Sequence, residues 1–173
     1  VARLVVFYFC GYHPQLNGVP MKILKLEDFF TEDVIKLDIK KETAGPVLRE
    51  LIKLLGLDKR ANDTLYQMLM KREKLGSTGV GKNVAIPHCR SLLVNRVRVA
   101  IGRTKKGIDY GAIDKRKVNL FFLIVAPPIE VSNVYLPLLG KVAGFLKEEK
   151  ILPKMKKAKT PQEFMKLFEG ITL

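Results

Sequence analysis

The chain has 173 residues, 47% hydrophobic and 28% charged, with 31 Lys and Arg against 17 Asp and Glu and a formal net charge of +14. That length and balance fit one globular domain with a full-sized core. No apolar run approaches the roughly 20 residues of a membrane-crossing helix, and two cysteines, Cys10 and Cys89, do not make a disulfide framework.

The excess charge is dispersed over Lys40-Lys41, Lys71-Arg72, Lys105-Lys106, Lys115-Arg116-Lys117 and Lys154 to Lys159. No aromatic residues interleave with these groups as stacking platforms, which disfavours nucleic acid as a partner. Residues 1–20 hold one charge, Arg3, and one of the two histidines, His13. Their apolar run, Leu4 to Cys10, is short for a signal segment and no small-residue cleavage site follows it, so the expected location is cytoplasmic, without membrane insertion. Met21 opens the patterned sequence. The expected organisation is an N-terminal extension over 1–20, outside the domain, and a single domain over 21–173.

From Met21 onward strands and helices alternate. Val34 to Ile39 alternates apolar and polar residues, as a half-buried strand does. Thr43 to Leu55 carries Val47, Leu48, Leu51, Leu54 and Leu55 at helical spacing and stops at Gly56. Asp63 is a candidate cap for a second helix that runs into Gly76 with Leu65, Met68, Leu69 and Leu75 inward. Asn83 to His88 reads as a short strand ended by Pro87, and Arg96 to Gly102 as another alternating strand. Val118 to Pro128 is apolar almost throughout, the mark of a central strand covered on both faces. Val134 to Lys147 and Pro161 to Phe168 are amphipathic helices. The expected fold is α/β: a three-layer α/β/α sandwich around a small mixed sheet.

The stretch Gly76 to Asn83, GSTGVGKN, is one residue short of a nucleotide-binding P-loop. A P-loop needs a buried strand before it, a helix after it and a hydroxyl for Mg²⁺. Here the preceding segment is helical, Pro87 breaks any following helix, and Asn83 has no hydroxyl. The glycines instead let a loop fold over a neighbour, and that neighbour is His88, the only histidine after residue 20. Cys89, next to it in extended chain, points to the opposite face, so no metal ligand set forms; neither a metal nor a cofactor is expected.

Arg72 to Arg90, REKLGSTGVGKNVAIPHCR, resembles the active-site signature of enzyme IIA domains of the bacterial phosphoenolpyruvate:sugar phosphotransferase system, of the fructose/mannitol/nitrogen-regulatory type. The matching positions are Arg72, Glu73, Ser77, Thr78, Gly79, Gly81, Ala85, Ile86, Pro87 and His88. Gly107 to Pro127 is similar to the family's next block, and the segment from Tyr135 to its following helix.

The resemblance implies that His88 accepts a phosphoryl group from an HPr-type phosphocarrier and passes it to a sugar-specific IIB domain or signals to a regulatory target with it. It implies Arg72 as the guanidinium fork on the phosphoryl oxygens, and Ser77, Thr78 and Gly79 as neutral support. Glu73 either orients Arg72 or is a solvated helix residue, and Lys82 and Arg90 either raise the local potential or are exposed loop charges. Tyr135 stands where the family carries a second histidine; it can donate to the phosphoryl group, donate to the imidazole, or fill space. A regulatory protein-binding module, or a degenerate relative without sugar phosphotransfer, is the alternative.

Overall fold

The computed structural model describes residues 24–129 and 133–173, so the expectation for residues 1–20 lies outside the described residues. After two short 3-10 turns at Leu26–Phe29 and Glu32–Val34, the chain forms β1 (Ile35–Ile39), α1 (Ala44–Lys53) and α2 (Lys59–Lys74). Then come β2 (Gly79–Gly81), β3 (Val84–Ala85), β4 (His88–Arg90), β5 (Arg98–Ile108) and β6 (Val118–Ala126). Helices α3 (Tyr135–Phe145), α4 (Ile151–Lys157) and α5 (Pro161–Met165) close the described chain, the last extended by a 3-10 turn at Lys166–Phe168.

The six strands form one mixed sheet in the order β1-β5-β6-β3-β2, with β4 also paired to β6. β1 runs parallel to β5, β5 antiparallel to β6, and β3 and β4 both parallel to β6. The β6 side chains divide between two cores. Leu120, Phe122, Ile124 and Ala126 pack with Tyr135, Leu138 and Val142 of α3 and with Phe164 and Phe168. Phe121, Leu123 and Val125 pack with Val47, Leu48 and Leu51 of α1 and with Leu65 and Leu69 of α2. Each of these fully buried large side chains contributes on the order of 1.5–3 kcal/mol, which is why an almost uninterrupted apolar strand belongs at the centre of the sandwich. The three layers expected from the sequence are present.

Three local expectations are corrected. Leu75, expected inward, follows the last residue of α2 and is 83% exposed. Helix α2 is capped by Asp58, whose carboxylate accepts from Ala61 N–H at 2.8 Å, not by Asp63. The earlier cap adds a first turn, and Asp63 within the helix accepts from Arg49 Nη1 at 2.8 Å. The single short strand expected over 83–88 is two strands on the same partner, separated at Ile86-Pro87 and preceded by β2. Helix α4 lay outside the expected elements; its Pro153 falls in the first turn, where its missing N–H has no partner to lose.

Candidate active site

The P-loop lookalike is a β-hairpin. β2 and β3 pair antiparallel, and the two residues between them, Lys82 and Asn83, both have positive φ, 51° and 67°. This is the backbone of a primed two-residue turn, whose twist matches the flanking strands. Lys82 is committed at both ends: its N–H donates to Asp114 Oδ2 at 2.8 Å and its Nζ to the Lys147 carbonyl at 2.9 Å. No phosphate cradle is left.

The hairpin returns the chain to the last turn of α2. Thr78, 4% exposed, is held there by Glu73: one carboxylate oxygen accepts from Thr78 N–H at 2.6 Å, the other from its hydroxyl at 2.7 Å. This contact is neither of the roles left open for Glu73. The Thr78 carbonyl in turn accepts from Ile86 N–H at 2.9 Å, fixing the segment that leads to His88. Ser77 Oγ donates to the Tyr110 carbonyl at 2.7 Å and accepts from Gly79 N–H at 3.1 Å. A Cβ on Gly79 would sit 2.7 Å from Ala112 Cα, a backbone approach that only glycine permits. Both hydroxyl protons of this loop, and the Thr78 and Gly79 N–H groups, are therefore bonded within the loop or to its neighbours, and all three residues serve to build it.

Pro87 keeps Ile86 extended, and its own carbonyl accepts from Ile124 N–H at 2.9 Å as β4 begins. His88 pairs with Ile124 and Arg90 with Ala126, both of which face the α3 core, whereas Cys89 lies in the α1–α2 core. Alternation thus turns His88 and Arg90 to the α3 side of the sheet. His88 Nδ1 lies 2.8 Å from the Ile86 carbonyl, and Nε2 lies 3.3 Å from Arg72 Nη2. A carbonyl only accepts, so the tautomer that satisfies both contacts carries its proton on Nδ1 and presents the Nε2 lone pair to the guanidinium. Arg72 is steadied by its Nη1, which donates to the Gly76 carbonyl at 2.9 Å.

Tyr135 opens α3 beside this group and is 6% exposed. Its ring lies under the Arg90 guanidinium, with Cζ 4.8 Å from the ring centroid. Burial, the largest influence, pushes its phenol up, and the positive charges of Arg90 and Arg72 pull it back. The neighbouring Cys89 thiol is pushed up to about 12 by burial alone, which keeps it protonated and inert.

The sequence reading brought Arg72, Glu73, Ser77, Thr78, Gly79, His88 and Tyr135 forward, and the structure assembles them at one end of the sheet. For Arg90 the sequence offers either a contribution to the local potential or an exposed loop charge. The signal that picks Arg90 out is its i+2 relation to His88 on a strand.

The family described as phosphoenolpyruvate-dependent sugar phosphotransferase system, EIIA 2, has a model that matches residues 28–170. The chain is 30% identical over 139 residues to the fructose-specific EIIABC component of Bacillus subtilis, across 79% of this chain and 22% of that protein's length. It is 30% identical over 128 residues to a nitrogen regulatory protein of Bradyrhizobium diazoefficiens, across 74% of this chain and 81% of that one. The solved structure of nitrogen regulatory protein IIA-Ntr from Neisseria meningitidis superposes with a TM-score of 0.75 at 27% identity, covering 83% of this chain and 98% of that chain. The match to the fructose protein thus spans about a fifth of it, and the matches to the two nitrogen regulatory proteins span most of each.

Proposed function

Because the chain belongs to the EIIA 2 family of the phosphoenolpyruvate-dependent sugar phosphotransferase system, we propose that His88 Nε2 takes a phosphoryl group from an HPr-type phosphocarrier. The observation that carries this is the imidazole held by Nδ1 on the Ile86 carbonyl with Nε2 turned to Arg72. In the transfer, the donor's P–N bond breaks with its electron pair left on the donor nitrogen, and the Nε2 lone pair forms the new P–N bond. No proton moves at His88. The Nδ1–H stays on Ile86, so the ring becomes a phospho-imidazolium, a good leaving group for onward transfer. Positioning and charge stabilisation dominate such a step, and Arg72 provides both.

A protein donor needs a docking face. Leu75, Leu92 and Leu136 stand close in sequence to Arg72, Arg90 and Tyr135, and all three are strongly exposed. Exposed apolar residues gathered around a polar centre suit a protein partner. The group then passes to a sugar-specific IIB domain, or phospho-His88 is read by a regulatory target. We place the protein in the cytoplasm, where phosphoenolpyruvate is made; among the described residues no helix is long and apolar enough to cross a membrane.

The test is incubation with phosphoenolpyruvate, enzyme I and an HPr-type carrier, followed by mass spectrometry. One acid-labile phosphoryl group on His88 is expected, and its absence rejects the proposal. Adding a purified IIB domain then separates carrier from signal: discharge of phospho-His88 marks a carrier. The domain boundary at Met21 is part of the same proposal. A chain starting there is expected to melt and to be labelled as the full chain does.

A further inference from the structure

We propose that Arg90 is a second phosphoryl-binding guanidinium, positioned by the Tyr135 ring, so that a phosphoryl group on His88 is clamped between Arg72 and Arg90. The inference rests on the reading of His88 as the phosphoryl acceptor.

Three observations lead to it. First, of the donors expected around the phosphoryl group, all but the Ser77 N–H are already used. The Ser77 and Thr78 hydroxyl protons go to the Tyr110 carbonyl and to Glu73, and the Thr78 and Gly79 N–H groups to Glu73 and Ser77. A phosphoryl group brings three anionic oxygens, and Arg72, with one Nη on Gly76 and the other facing Nε2, cannot meet all of them. Second, Arg90 follows His88 by two positions on β4, so both side chains leave the same face about 7 Å apart at the backbone. Third, the Arg90 side chain is built in, although its residue is exposed. Nη1 donates to the Pro128 carbonyl at 2.8 Å and lies 3.4 Å from that of Pro127, and the guanidinium plane is backed by the Tyr135 ring. Among the described residues Nε and Nη2 make no hydrogen bond, so one edge of the fork stays available.

The orientation follows from Tyr135. Its phenol is influenced by Arg90 and by Arg72 together, and Arg72 is the group at Nε2. The Arg90 guanidinium stacks on the ring that opens α3, on the same face of the sheet as His88, whose Nε2 faces Arg72. An aromatic face beneath a guanidinium leaves its N–H edges free and lowers the entropy lost on binding. Tyr135 thus acts through Arg90, as a platform, with its hydroxyl secondary.

The test uses the full chain as wild type, Arg90→Gln, Arg90→Lys, Tyr135→Phe and Tyr135→Leu, with melting midpoints as the folding check. Arg90→Gln retains an N–H donor for the proline carbonyls and loses the charge. The clamp predicts that Arg90→Gln melts like wild type yet is labelled about 10- to 100-fold more slowly, or loses its phosphoryl group faster by that factor. Arg90→Lys should recover part of the loss, Tyr135→Phe should stay within about 3-fold of wild type, and Tyr135→Leu should behave like Arg90→Gln. If Tyr135→Leu does not fold, Arg90→Gln decides alone. Labelling rate and phosphohistidine lifetime both unchanged in Arg90→Gln would overturn the proposal, as would an equal loss in Arg90→Gln and Arg90→Lys that tracks a lowered melting midpoint.

A second readout is independent of the relay: inorganic phosphate titrated onto the unphosphorylated protein while the His88 ring resonances are followed. A response that Arg90→Gln weakens supports the clamp even if the relay fails to label wild type, in which case only the functional reading falls. A response indifferent to Arg90 overturns the clamp.

Discussion

Arg72 Nη2 and His88 Nε2 stand 3.3 Å apart, and they arrive from opposite directions: Arg72 from the last turn of a helix, His88 from the first residue of a strand. The hairpin between them is the device that closes the distance. Each of its internal contacts is therefore a means of moving the guanidinium relative to the imidazole.

Removing either partner has distinct effects. His88→Ala is expected to abolish labelling by the phosphoenolpyruvate relay. Arg72→Lys keeps a positive charge but loses the fork that bonds Gly76 and faces Nε2 together. Its labelling rate should fall by about 10- to 100-fold, the loss of one charge-assisted bond. Rapid-quench labelling measures this, and an Arg72→Lys rate equal to wild type would show that the fork geometry is immaterial.

Glu73 should matter first for folding of the loop. Glu73→Ala leaves a buried Thr78 N–H and hydroxyl without their partner, at a cost of about 1–3 kcal/mol. Thr78→Val removes only the hydroxyl contact and should cost less. Urea melts of the two variants give the comparison; equal stability in Glu73→Ala and wild type would mean that the clamp contributes nothing.

Gly79→Ala tests the close approach of the hairpin to the segment after β5. The added methyl meets backbone at 2.7 Å and cannot be accommodated by rotating a side chain. An overpacking cost of about 1–3 kcal/mol is expected, with slower labelling, because β2 carries Thr78 with it. An unshifted melting midpoint would count against this packing.

Glu50 gives a pH dependence remote from the site. The hydrogen bond from Lys36 Nζ, at 2.6 Å, is the main influence holding its carboxyl below the usual value, with Lys53 assisting against desolvation. A carboxyl lowered in the folded state stabilises fully above its unfolded value, and that contribution fades as pH falls through the folded value. Lys36 is partly exposed, so the effect is at most about 1 kcal/mol. Glu50→Gln should be slightly less stable than wild type at pH 7, and the gap should close below about pH 4. A gap that persists at low pH would assign the effect to packing.

The central features were legible because their signals are local. The apolar run of β6 announces a strand covered on both faces, and the Arg72 to His88 spacing announces the site. What escaped depends on pairing. The i+2 relation of His88 and Arg90 has meaning only once both residues are known to lie on β4 beside β6, and the Arg90–Tyr135 stack joins segments far apart in the chain. Glu73 was ambiguous because a carboxylate on the last turn of a helix has no local partner; its partner arrives with the returning loop. Asp58 and Asp63 both suit a helix start, and the choice falls to where the chain leaves Gly56 and Leu57, which propensity alone does not decide.

One consequence lies in how the sheet separates its helices. Arg72 belongs to α2, which covers one face, while Tyr135 begins α3, which covers the other. If Nε2 carries a phosphoryl group held by Arg72 and by the guanidinium stacked on Tyr135, that group would tie α2 on one face to the start of α3 on the other. Its arrival should slow amide hydrogen exchange at the end of α2 and the start of α3 together. The proposed phosphorylation would then stiffen both faces at once, so that a partner approaching from either side would sense a charge placed at a single nitrogen.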